Sequence, residues 1–577
     1  MPPVALTGAD FVKIRGIPMG KKQLLRRNYD VFLFLAALLP VAVMLLAKCK
    51  YGIGNRDESF YLTVPYRLCQ GDRLFLNEWH LSQMAGWILQ FPMALFLKWR
   101  GSTEGMVLAF RQIYVAVHLV GSTVLFWLLR RKSRLGAVVA ALCYCIYTPF
   151  GISALSYNSM GLGLLTLSAA TVTCARGRWS NVAAGALYAL SVLCCPYLAV
   201  LLPVYGCGVL AARRFPKFGE ELPFLTPRQF GMYVLGIGIP AVLFLLSVLP
   251  RIPLADWPQI VAGMFRDPEH SMPLWKKPVE YVWQLVHHRL ILYLLPLLLC
   301  GLLVRQREAR AVISGLMLAL TGLALRQSHY INFLMFPMSQ AGLYFYLVYR
   351  SASAKPLFYG LWIPGMVYSM CLHMASNQGY FAISHAFTIS TVASVLIILL
   401  TVQEQLPGLR CPVLKCGLAV AVALLFLIQG YYQVRYRWQF VYWENSLAEQ
   451  TQPLTAGPDK GLLVSPQWEQ EYTEALQLTS RLDPHGSLLV LGGKSYYYLF
   501  TGCTNSSYSG WPAGTPESIL ERLEIYYRLC PDKRPDQILI PTENSDYAEV
   551  FLEDGSYRLV ETAPGGDLLL TRTETIQ

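Results

Sequence analysis

Charged residues are scarce in this chain: Asp, Glu, Lys and Arg make up 14% of its 577 residues. Hydrophobic residues make up 54% and the mean hydropathy is +0.39, which is typical of a polytopic membrane protein and not of several soluble domains. Chemical motifs are also lacking. The sequence contains no CxxC pair, no His/Cys zinc spacing, no P-loop and no DxD nucleotide-sugar motif. It therefore indicates neither a zinc site nor a nucleotide-sugar substrate.

Acidic residues are especially rare before residue 440. That part of the chain holds 39 basic and 15 acidic residues, whereas the part from Phe440 onward holds 9 basic and 20 acidic ones. Much of the basic charge lies in short loops between apolar runs, as in the cytoplasmic loops of membrane proteins. The net charge of +13 is therefore explained without nucleic-acid binding.

Thirteen apolar runs are candidates for membrane helices, with an uncertainty of about two in that count. They lie near 31–47, 105–129, 135–150, 159–175, 180–195, 197–212, 230–249, 290–304, 310–325, 330–348, 357–374, 384–401 and 413–429. If residues 1–30 are cytoplasmic, all six basic clusters fall in cytoplasmic loops: Arg130–Arg134, Arg176–Arg178, Arg213–Lys217, Arg305–Arg310, Arg350–Lys355 and Arg410–Lys415. The sequence therefore predicts an integral protein of the plasma or inner membrane, with its C-terminal segment outside.

The predicted organisation is a membrane domain over 31–430 followed by an extracytoplasmic α/β domain over 431–577. Within the membrane domain, outer loops are expected at 48–104 and 250–289. The stretch "MAGWILQFPMALFLKW" in the first of these predicts a helix lying at the membrane interface, since a further span would invert every later loop. In the tail, short β-rich runs such as "SLLVLGG", "QILIPT" and "DLLLTRT" alternate with helical patterns, which predicts the small α/β domain.

Cysteine usage leaves two questions open. Most of the 14 cysteines lie in apolar runs, where the thiol acts as a small hydrophobic group. Cys49 with Cys69, and Cys503 with Cys530, fall on the predicted outer side, where disulfides are permitted. Sequence does not measure the separation that a disulfide needs, so neither pairing is decided.

Two adjacent acids, Asp57 and Glu58, follow the first apolar run in "YGIGNRDESFYLTVPYRLCQGD". On the predicted helix Asp57 shares a face with Tyr61, and a carboxylate in a first helical turn is held ionised, as a general base requires. Glu78 and His80 follow in "NEWHLSQ". The alternative interpretation, that these are solvated interfacial groups, is weakened because the acids are paired and recur beside a histidine.

These motifs resemble the first outer loop of C-type (GT-C) glycosyltransferases, such as protein O-mannosyltransferases and lipid A aminoarabinose transferases. The resemblance extends over most of the chain. It includes an aromatic residue and a glycine after the acids (Tyr61 and Gly71), an arginine in the second span (Arg111), and the outer junction "RQSHYINFLMFP". A trailing outer α/β domain is also common in that superfamily.

The resemblance implies a polyprenyl-phosphate sugar donor and transfer of a hexosyl or pentosyl group at the outer membrane surface with inversion. Asp57 and Glu58 would be the catalytic acids, with Asp57 as the general base. Glu78, His80 and Asn158 would form a second outer-loop cluster on the acceptor side. Fixed cations and donors would hold the leaving phosphate; the candidates are Arg111, Arg326, His329, Tyr330, Lys276 and Lys277.

One position departs from the family pattern. Many relatives place an acid in the outer loop after the third span, where this chain has Asn158 in "ALSYNSMG". Because Asn is neither a base nor a charged ligand, the sequence indicates no metal or other cofactor and leaves a divalent cation open. The acceptor, whether glycan, lipid or protein, is also left open. Two other hypotheses stand beside the enzyme: a lipid or glycolipid transporter or flippase, and a catalytically silent homologue with an outer binding domain.

Overall fold

The structure is a computed structural model. It describes residues 28–266, 273, 275–286, 289–376, 379–441, 445–512, 514–553 and 555–573. Most of the predicted cytoplasmic segment 1–30 and parts of the predicted outer loop 250–289 lie outside the described residues.

The described residues before position 440 are almost entirely helical. In chain order the main helices are α1 (Tyr29–Lys48), α2 (Asn55–Cys69), α3 (Ala85–Arg100), α4 (Met106–Leu129), α5 (Arg134–Ile146), α6 (Tyr157–Cys174), α7 (Arg178–Cys194), α8 (Leu201–Arg214), α9 (Pro227–Val248), α10 (Trp257–Phe265), α11 (Lys277–Val286), α12 (Arg289–Leu303), α13 (Arg307–Gln327), α14 (Met335–Tyr349), α15 (Ile363–Ser376), α16 (Thr388–Gln405) and α17 (Pro412–Gln439). Short helical segments join them at Pro196–Val200, Pro216–Glu220, Ile331–Leu334, Lys355–Leu357, Phe358–Trp362 and Tyr380–Ser384.

The predicted class, a polytopic helical membrane protein, is confirmed. Each of the thirteen apolar runs falls on a helix. Among the described residues, eight helical segments are long and apolar enough to cross a membrane, and three shorter apolar helices accompany them. The count of thirteen spans stays a prediction, because several of the helices are too short or too polar to meet that criterion.

Helices α14 and α16 form the centre of the bundle. In the segments that contain them, 83% and 94% of the most apolar stretch is buried. The two helices come so close that a Cβ on Gly342 would clash with Ser394, as expected where small residues let membrane helices approach each other. By contrast, only 17% of the corresponding stretch of α1 and 22% of that of α17 is buried, so both expose apolar surface as a lipid-facing helix would.

Helix α3 contains the run that the sequence predicts to lie at the interface. Its Leu89, Met93 and Phe96 are buried, while Phe91 and Trp99 are 76% and 75% exposed. An apolar face turned outward on a short helix fits the predicted interfacial position, which stays a prediction because orientation toward a membrane is not part of the structure.

A small α/β domain follows the membrane helices, as predicted. Its five-stranded sheet has the order β6-β5-β7-β9-β8, in which β6, β5 and β7 are parallel and the other two strands are antiparallel. The strands of the domain are β1 (Phe440–Val441), β2 (Asn445–Ser446), β3 (Gln452–Pro453), β4 (Leu463–Val464), β5 (Ser487–Val490), β6 (Thr504–Asn505), β7 (Gln537–Ile540), β8 (Tyr557–Thr562) and β9 (Leu568–Arg572). Its longer helices are α18 (Pro466–Thr479) and α19 (Pro516–Leu529), and Tyr496–Phe500 and Tyr547–Leu552 are short ones.

The last membrane helix is longer than the sequence predicts. The apolar run ends near residue 429, but α17 continues to Gln439, past the predicted domain boundary at 431. The added turns keep a buried face with Gln433 and Arg437, and the Gln433 amide donates to the Cys143 carbonyl oxygen at 3.0 Å. The helix continues because these polar side chains find partners inside the protein.

Backbone hydrogen bonds join the C-terminal domain to the loops around α2. Gly52 N donates to the Leu463 carbonyl at 2.7 Å, and Leu463 N donates back to the Lys50 carbonyl at the same distance. Trp79 N donates to the Tyr508 carbonyl at 2.7 Å. The domain is therefore fixed over the start of α2, where the acidic motif lies.

All fourteen cysteines are free thiols in the structure. Cys49 and Cys69 are not bonded to each other, and neither are Cys503 and Cys530. Cys49 instead donates its thiol proton to the Leu45 carbonyl, and the Cys503 thiol donates to the Asp483 carbonyl. The two candidate disulfides are thus not formed in the structure.

Candidate active site

Asp57 lies in the first turn of α2, where the sequence predicts it. The unpaired N–H groups and the positive dipole end of a helix start favour a carboxylate there. Asp57 is half-buried, whereas its neighbour Glu58 is buried. Gly54 precedes the helix and donates its N–H to Glu58 Oε2 at 2.7 Å; a Cβ on Gly54 would come within 2.6 Å of that oxygen.

Glu58 is held by Arg111 of α4. The Arg111 Nε donates to Glu58 Oε1 at 2.6 Å and Nη2 donates to Oε2 at 2.5 Å, so the pair is bidentate. The other N–H groups donate to the carbonyl oxygens of Cys49, Tyr51 and Gly52 at 2.9, 3.2 and 2.8 Å. All five N–H donors of the guanidinium are used. The two side chains thus satisfy each other, and the predicted roles of Glu58 as a catalytic acid and of Arg111 as a phosphate ligand stay predictions.

Glu78 is likewise engaged in a buried network. Its Oε2 accepts from Arg67 Nη1 at 2.8 Å and from the Gly510 N–H at 3.1 Å, and it is fully buried. Arg67 also contacts Asp72 at 2.7 Å, and Lys533 of the C-terminal domain contacts the other oxygen of Asp72 at 2.6 Å. Glu78 therefore ties the first loop to the C-terminal domain, and its predicted place in the acceptor-side cluster stays a prediction.

Aromatic rings cluster beside the first half of α2. Ring centroids of Phe60 and His80 are 4.8 Å apart, those of Phe60 and Trp511 are 5.9 Å apart, and those of Tyr61 and Tyr157 are 5.6 Å apart. We call these five residues the aromatic shelf. Its His80 Nδ1 accepts from the Ser82 N–H at 3.1 Å. Asn158, the residue after Tyr157, is buried in the first turn of α6.

Above the shelf, Arg56 links the motif to the C-terminal sheet. Arg56 Nη2 lies 2.6 Å from the Oε1 atom of Glu543, a residue of the segment that follows β7. A Cβ on Gly493, which follows β5, would lie 3.0 Å from Arg56 Cδ. The carboxyl ends of the parallel strands β5 and β7, where α/β sheets commonly form binding crevices, therefore face the start of α2.

The turn at residues 148–153 joins α2 to the far side of the bundle. Phe150 has a φ of 57°, a conformation that non-glycine residues seldom adopt. The Tyr330 hydroxyl donates to the Phe150 carbonyl, and Arg437 donates to the Gly151 carbonyl at 2.9 Å and to Ser153 Oγ at 2.7 Å. Ile152 and Ala154 pack with Phe60 and Tyr61 of α2. The turn thus brings Tyr330 and Arg437 toward the same region as Asp57.

Two buried basic side chains near this turn have no carboxylate within 4 Å among the described residues. Arg437 is 2% exposed, and its Nε is buried without a hydrogen-bond partner in the described part of the chain. Lys48 is 3% exposed and donates to the Trp438 carbonyl at 2.9 Å. A buried guanidinium without a counter-ion is costly, so Arg437 is an unusual feature of this fold.

The other predicted phosphate ligands do not gather around one point. Arg326 and His329 are exposed at the end of α13. Lys276 is exposed, with its amine 5.3 Å from the centroid of the Trp275 ring. Lys277 is buried, donates to the Met374 carbonyl at 2.5 Å, and has its pKa lowered by desolvation. Tyr330 lies beside Arg437, since both donate to carbonyl oxygens of the turn at 148–153.

A second titratable group, Asp459, lies behind the Glu58–Arg111 pair. It belongs to the C-terminal domain and is 6% exposed, and its N–H donates to the Tyr472 hydroxyl at 3.1 Å. Burial raises the pKa of Asp459 to about 7; the charge of Glu58 adds to the rise and that of Arg111 opposes it. Within the part of the chain that the structure describes, no group of three or more His, Cys, Asp or Glu could hold a metal ion.

The sequence carried a signal for the buried basic side chains. Lys48 and Arg437 stand at the predicted outer ends of the first and last spans, where the positive-inside pattern disfavours basic residues. Such exceptions point to a functional or structural use. By contrast, the partners of Arg67, Glu78 and Arg111 depend on contacts between distant parts of the chain, which no local pattern reveals.

No family model matches the chain, and no curated protein matches it. Among solved structures, it is similar to the crystal structure of ArnT from Cupriavidus metallidurans in the apo state. The likeness has a TM-score of 0.45 and 12% sequence identity, and it covers 94% of this chain and 98% of that one. A likeness of this strength assigns no residue of this chain, so its function has to be argued from its own contacts.

Proposed function

We propose that this protein is a membrane glycosyltransferase that moves a hexosyl or pentosyl group from a polyprenyl-phosphate donor to an acceptor at the extracytoplasmic face. Asp57 is the general base. It takes the proton of the acceptor hydroxyl or amine while that atom attacks the anomeric carbon. The bond from this carbon to the phosphate oxygen breaks on the opposite side, so the configuration inverts and polyprenyl phosphate leaves.

The observation that carries the proposal is the difference in exposure among three acids of the first loop, Asp57, Glu58 and Glu78. Glu58 and Glu78 are 2% and 0% exposed, whereas Asp57 keeps a solvent-accessible side in the first turn of α2. A general base has to reach its substrate, and this requirement favours Asp57.

The leaving phosphate is assigned to Arg437, with Tyr330 and Lys48 beside it. Arg437 has a buried Nε without a described partner, and guanidinium binds phosphate oxygens more strongly than neutral donors do. Arg326 and His329, exposed at the end of α13, and the Lys276–Lys277 pair would then guide the anionic donor rather than hold its phosphate. Arg111 and Glu58 position the loop that carries Asp57.

The aromatic shelf supports a sugar substrate. Its half-buried rings, Tyr157 and Trp511, offer apolar faces beside polar groups, which suits a sugar ring that presents C–H bonds on one side and hydroxyls on the other. His80 of the shelf and the neighbouring Asn158 are placed on the proposed acceptor side. This assignment leaves the acceptor as a glycan, a lipid or a protein.

Donor cleavage by the purified protein tests the proposal. The full chain in detergent is given polyprenyl-phosphate hexoses and pentoses, and released polyprenyl phosphate is measured with and without membrane extract as a source of acceptor. The expected result is extract-dependent release from one donor class by wild type, which Asp57→Asn abolishes. Glu104→Gln is the matched control, because Glu104 is an acid near the same loop that pairs with Lys460 at the exposed surface.

Two results would contradict the proposal. Release by Asp57→Asn at the wild-type rate would exclude Asp57 as the base. Absence of release from every donor by a folded wild-type protein would favour the catalytically silent homologue instead.

A further inference from the structure

A cavity of about 570 Å³ lies at the end of the bundle away from Asp57. It opens beside the end of α4, the end of α6 and the starts of α7 and α9. Arg111 lies in α4, and Arg131 follows the end of that helix 20 residues later. At the α-helical rise of about 1.5 Å per residue, the cavity lies about 30 Å from the Glu58–Arg111 pair. It is thus distinct from the proposed transfer site.

Four cationic residues line the cavity: Arg131, Lys132, Arg176 and Arg228. None of the lining residues is acidic. Two acids on neighbouring elements are already paired, since Asp30 contacts Arg130 and Glu221 contacts Lys355. The lining therefore carries positive charge that no described acid offsets within the cavity.

Two helix starts add to this charge. Helix α7 begins after Gly177 and helix α9 begins after Thr226, and both residues line the cavity. The positive ends of two long helices therefore point toward the same space, which favours an anion there.

A polar atom in the cavity wall needs a donor from elsewhere. The Oε1 atom of Gln229 is buried and has no hydrogen-bond partner among the described residues. Asn181 in the same wall is 6% exposed. A ligand that fits this wall carries an anionic group for the arginines and a hydroxyl or amine that donates to Gln229.

We propose that this cavity binds a phosphate ester that also carries a hydroxyl group, at a site separate from sugar transfer. Its volume lies within the usual range for small-molecule sites. Two sources offer this chemistry: the headgroup of a membrane phospholipid and a soluble phosphate ester. The proposal does not depend on the proposed glycosyl transfer.

Binding to the purified full chain tests the proposal, with one arm for each source. In the soluble arm, glycerol 3-phosphate and inorganic pyrophosphate are titrated in detergent and binding is followed calorimetrically. In the lipid arm, phosphatidylglycerol retained by the protein is counted by native mass spectrometry. Binding in one arm alone supports the proposal and identifies the source.

The site variant is Arg131→Gln/Arg176→Gln/Arg228→Gln. Its matched control is Arg213→Gln/Lys217→Gln/Arg410→Gln, which removes the same charge from exposed residues in predicted cytoplasmic loops that do not line the cavity. We expect at least tenfold weaker binding in the site variant and less than twofold in the control. Equal losses in both would show unspecific attraction and overturn the proposal, as would no binding by wild type in either arm.

Gln229→Met provides a second test that does not remove charge. It takes away the buried acceptor, so glycerol 3-phosphate, which has hydroxyls, is expected to lose affinity severalfold while pyrophosphate is little affected. If both probes lose affinity equally, or neither does, the predicted hydroxyl contact is wrong. Because no sugar transfer is measured, these results are independent of the outcome for Asp57.

Discussion

Replacing Arg111 by Met is expected to destabilise the protein through Glu58, and not through a lost contact to the donor. The Glu58 side chain is 3% exposed and keeps only the Gly54 N–H as a partner once the guanidinium is removed. Removing one partner of a buried ion pair typically costs about 3–5 kcal/mol. The carbonyl oxygens of residues 49, 51 and 52 also lose their Arg111 donors, and each buried acceptor left unpaired costs a further ~1–3 kcal/mol.

A double-mutant cycle separates this structural role from donor binding. Arg111→Met, Glu58→Met and the double variant are unfolded by heat in detergent and followed with a thiol-reactive fluorophore, since all cysteines are free and most are buried. The double variant is expected to unfold at a higher temperature than Arg111→Met, because it leaves no buried charge unpaired. Arg435→Met is the matched control: Arg435 is exposed and bonds only the Gln439 side chain, so a change below about 0.5 kcal/mol is expected.

The structural role of Arg111 is refuted if Arg111→Met unfolds at the wild-type temperature and the double variant does not unfold at a higher temperature than Arg111→Met. If donor KM also rises at least tenfold in that variant, Arg111 contacts the donor phosphate, as the sequence alone predicts. Glu58 would then have to find another partner when donor binds.

Four further results are expected. Asp57→Asn should lower kcat by about 10²–10⁴ without lowering the unfolding temperature, because the amide keeps the shape and removes the base; a normal kcat would contradict this. Arg437→Gln should raise donor KM at least tenfold with acceptor KM unchanged, and Arg437→Lys should recover only part of the loss, since an ammonium lacks the planar fork. Asp459→Asn should raise the unfolding temperature at pH 8 but not at pH 4. In the folded protein the pKa of Asp459 is about 7, above the ordinary value of 3.8, so the protein loses stability, at most ~4 kcal/mol, as the pH rises from about 4 to 7. The amide of the variant does not ionise and avoids that loss. Ser480→Cys, at an exposed position of the C-terminal domain, should react with a membrane-impermeant maleimide in intact cells; labelling only after lysis would reverse the predicted topology.

The helices could be predicted from sequence because each of them is encoded by its own residues. Apolar runs of about 20 residues and the turn of acids before "SFYL" are local patterns, and the structure has helices at each of those places. The alternation in the tail likewise predicts β5, β7 and β9 with α18 and α19. The end of α17 was not predictable in the same way. Polar residues such as Gln433 and Arg437 after an apolar run predict the end of a helix, and only their buried partners show that the helix continues.

The candidate site was only partly predictable for the same physical reason. Position in a helical turn identifies Asp57, but nothing local tells which of three acids is neutralised by an arginine. Glu58 meets Arg111 across 53 residues, and Glu78 meets the Gly510 N–H across 432. Pairing between such distant positions depends on tertiary packing, so the partners of Glu58, Glu78 and Arg111 could not be predicted from the sequence.

The charge balance around the turn at 148–153 indicates why a guanidinium would be kept buried without a carboxylate. Glu58 neutralises Arg111, which leaves Arg437 to be matched from outside. In the proposed reaction the donor is a phosphodiester with one negative charge, and the leaving polyprenyl phosphate gains a second as its bond to the sugar breaks. A fixed cation beside that phosphate therefore attracts the departing group more strongly than the bound donor, so the attraction grows along the reaction path. Stabilisation of this kind lowers the barrier, whereas equal attraction to donor and product would only tighten binding. A carboxylate partner for Arg437 would weaken this growing attraction, so a guanidinium without one suits the proposed reaction.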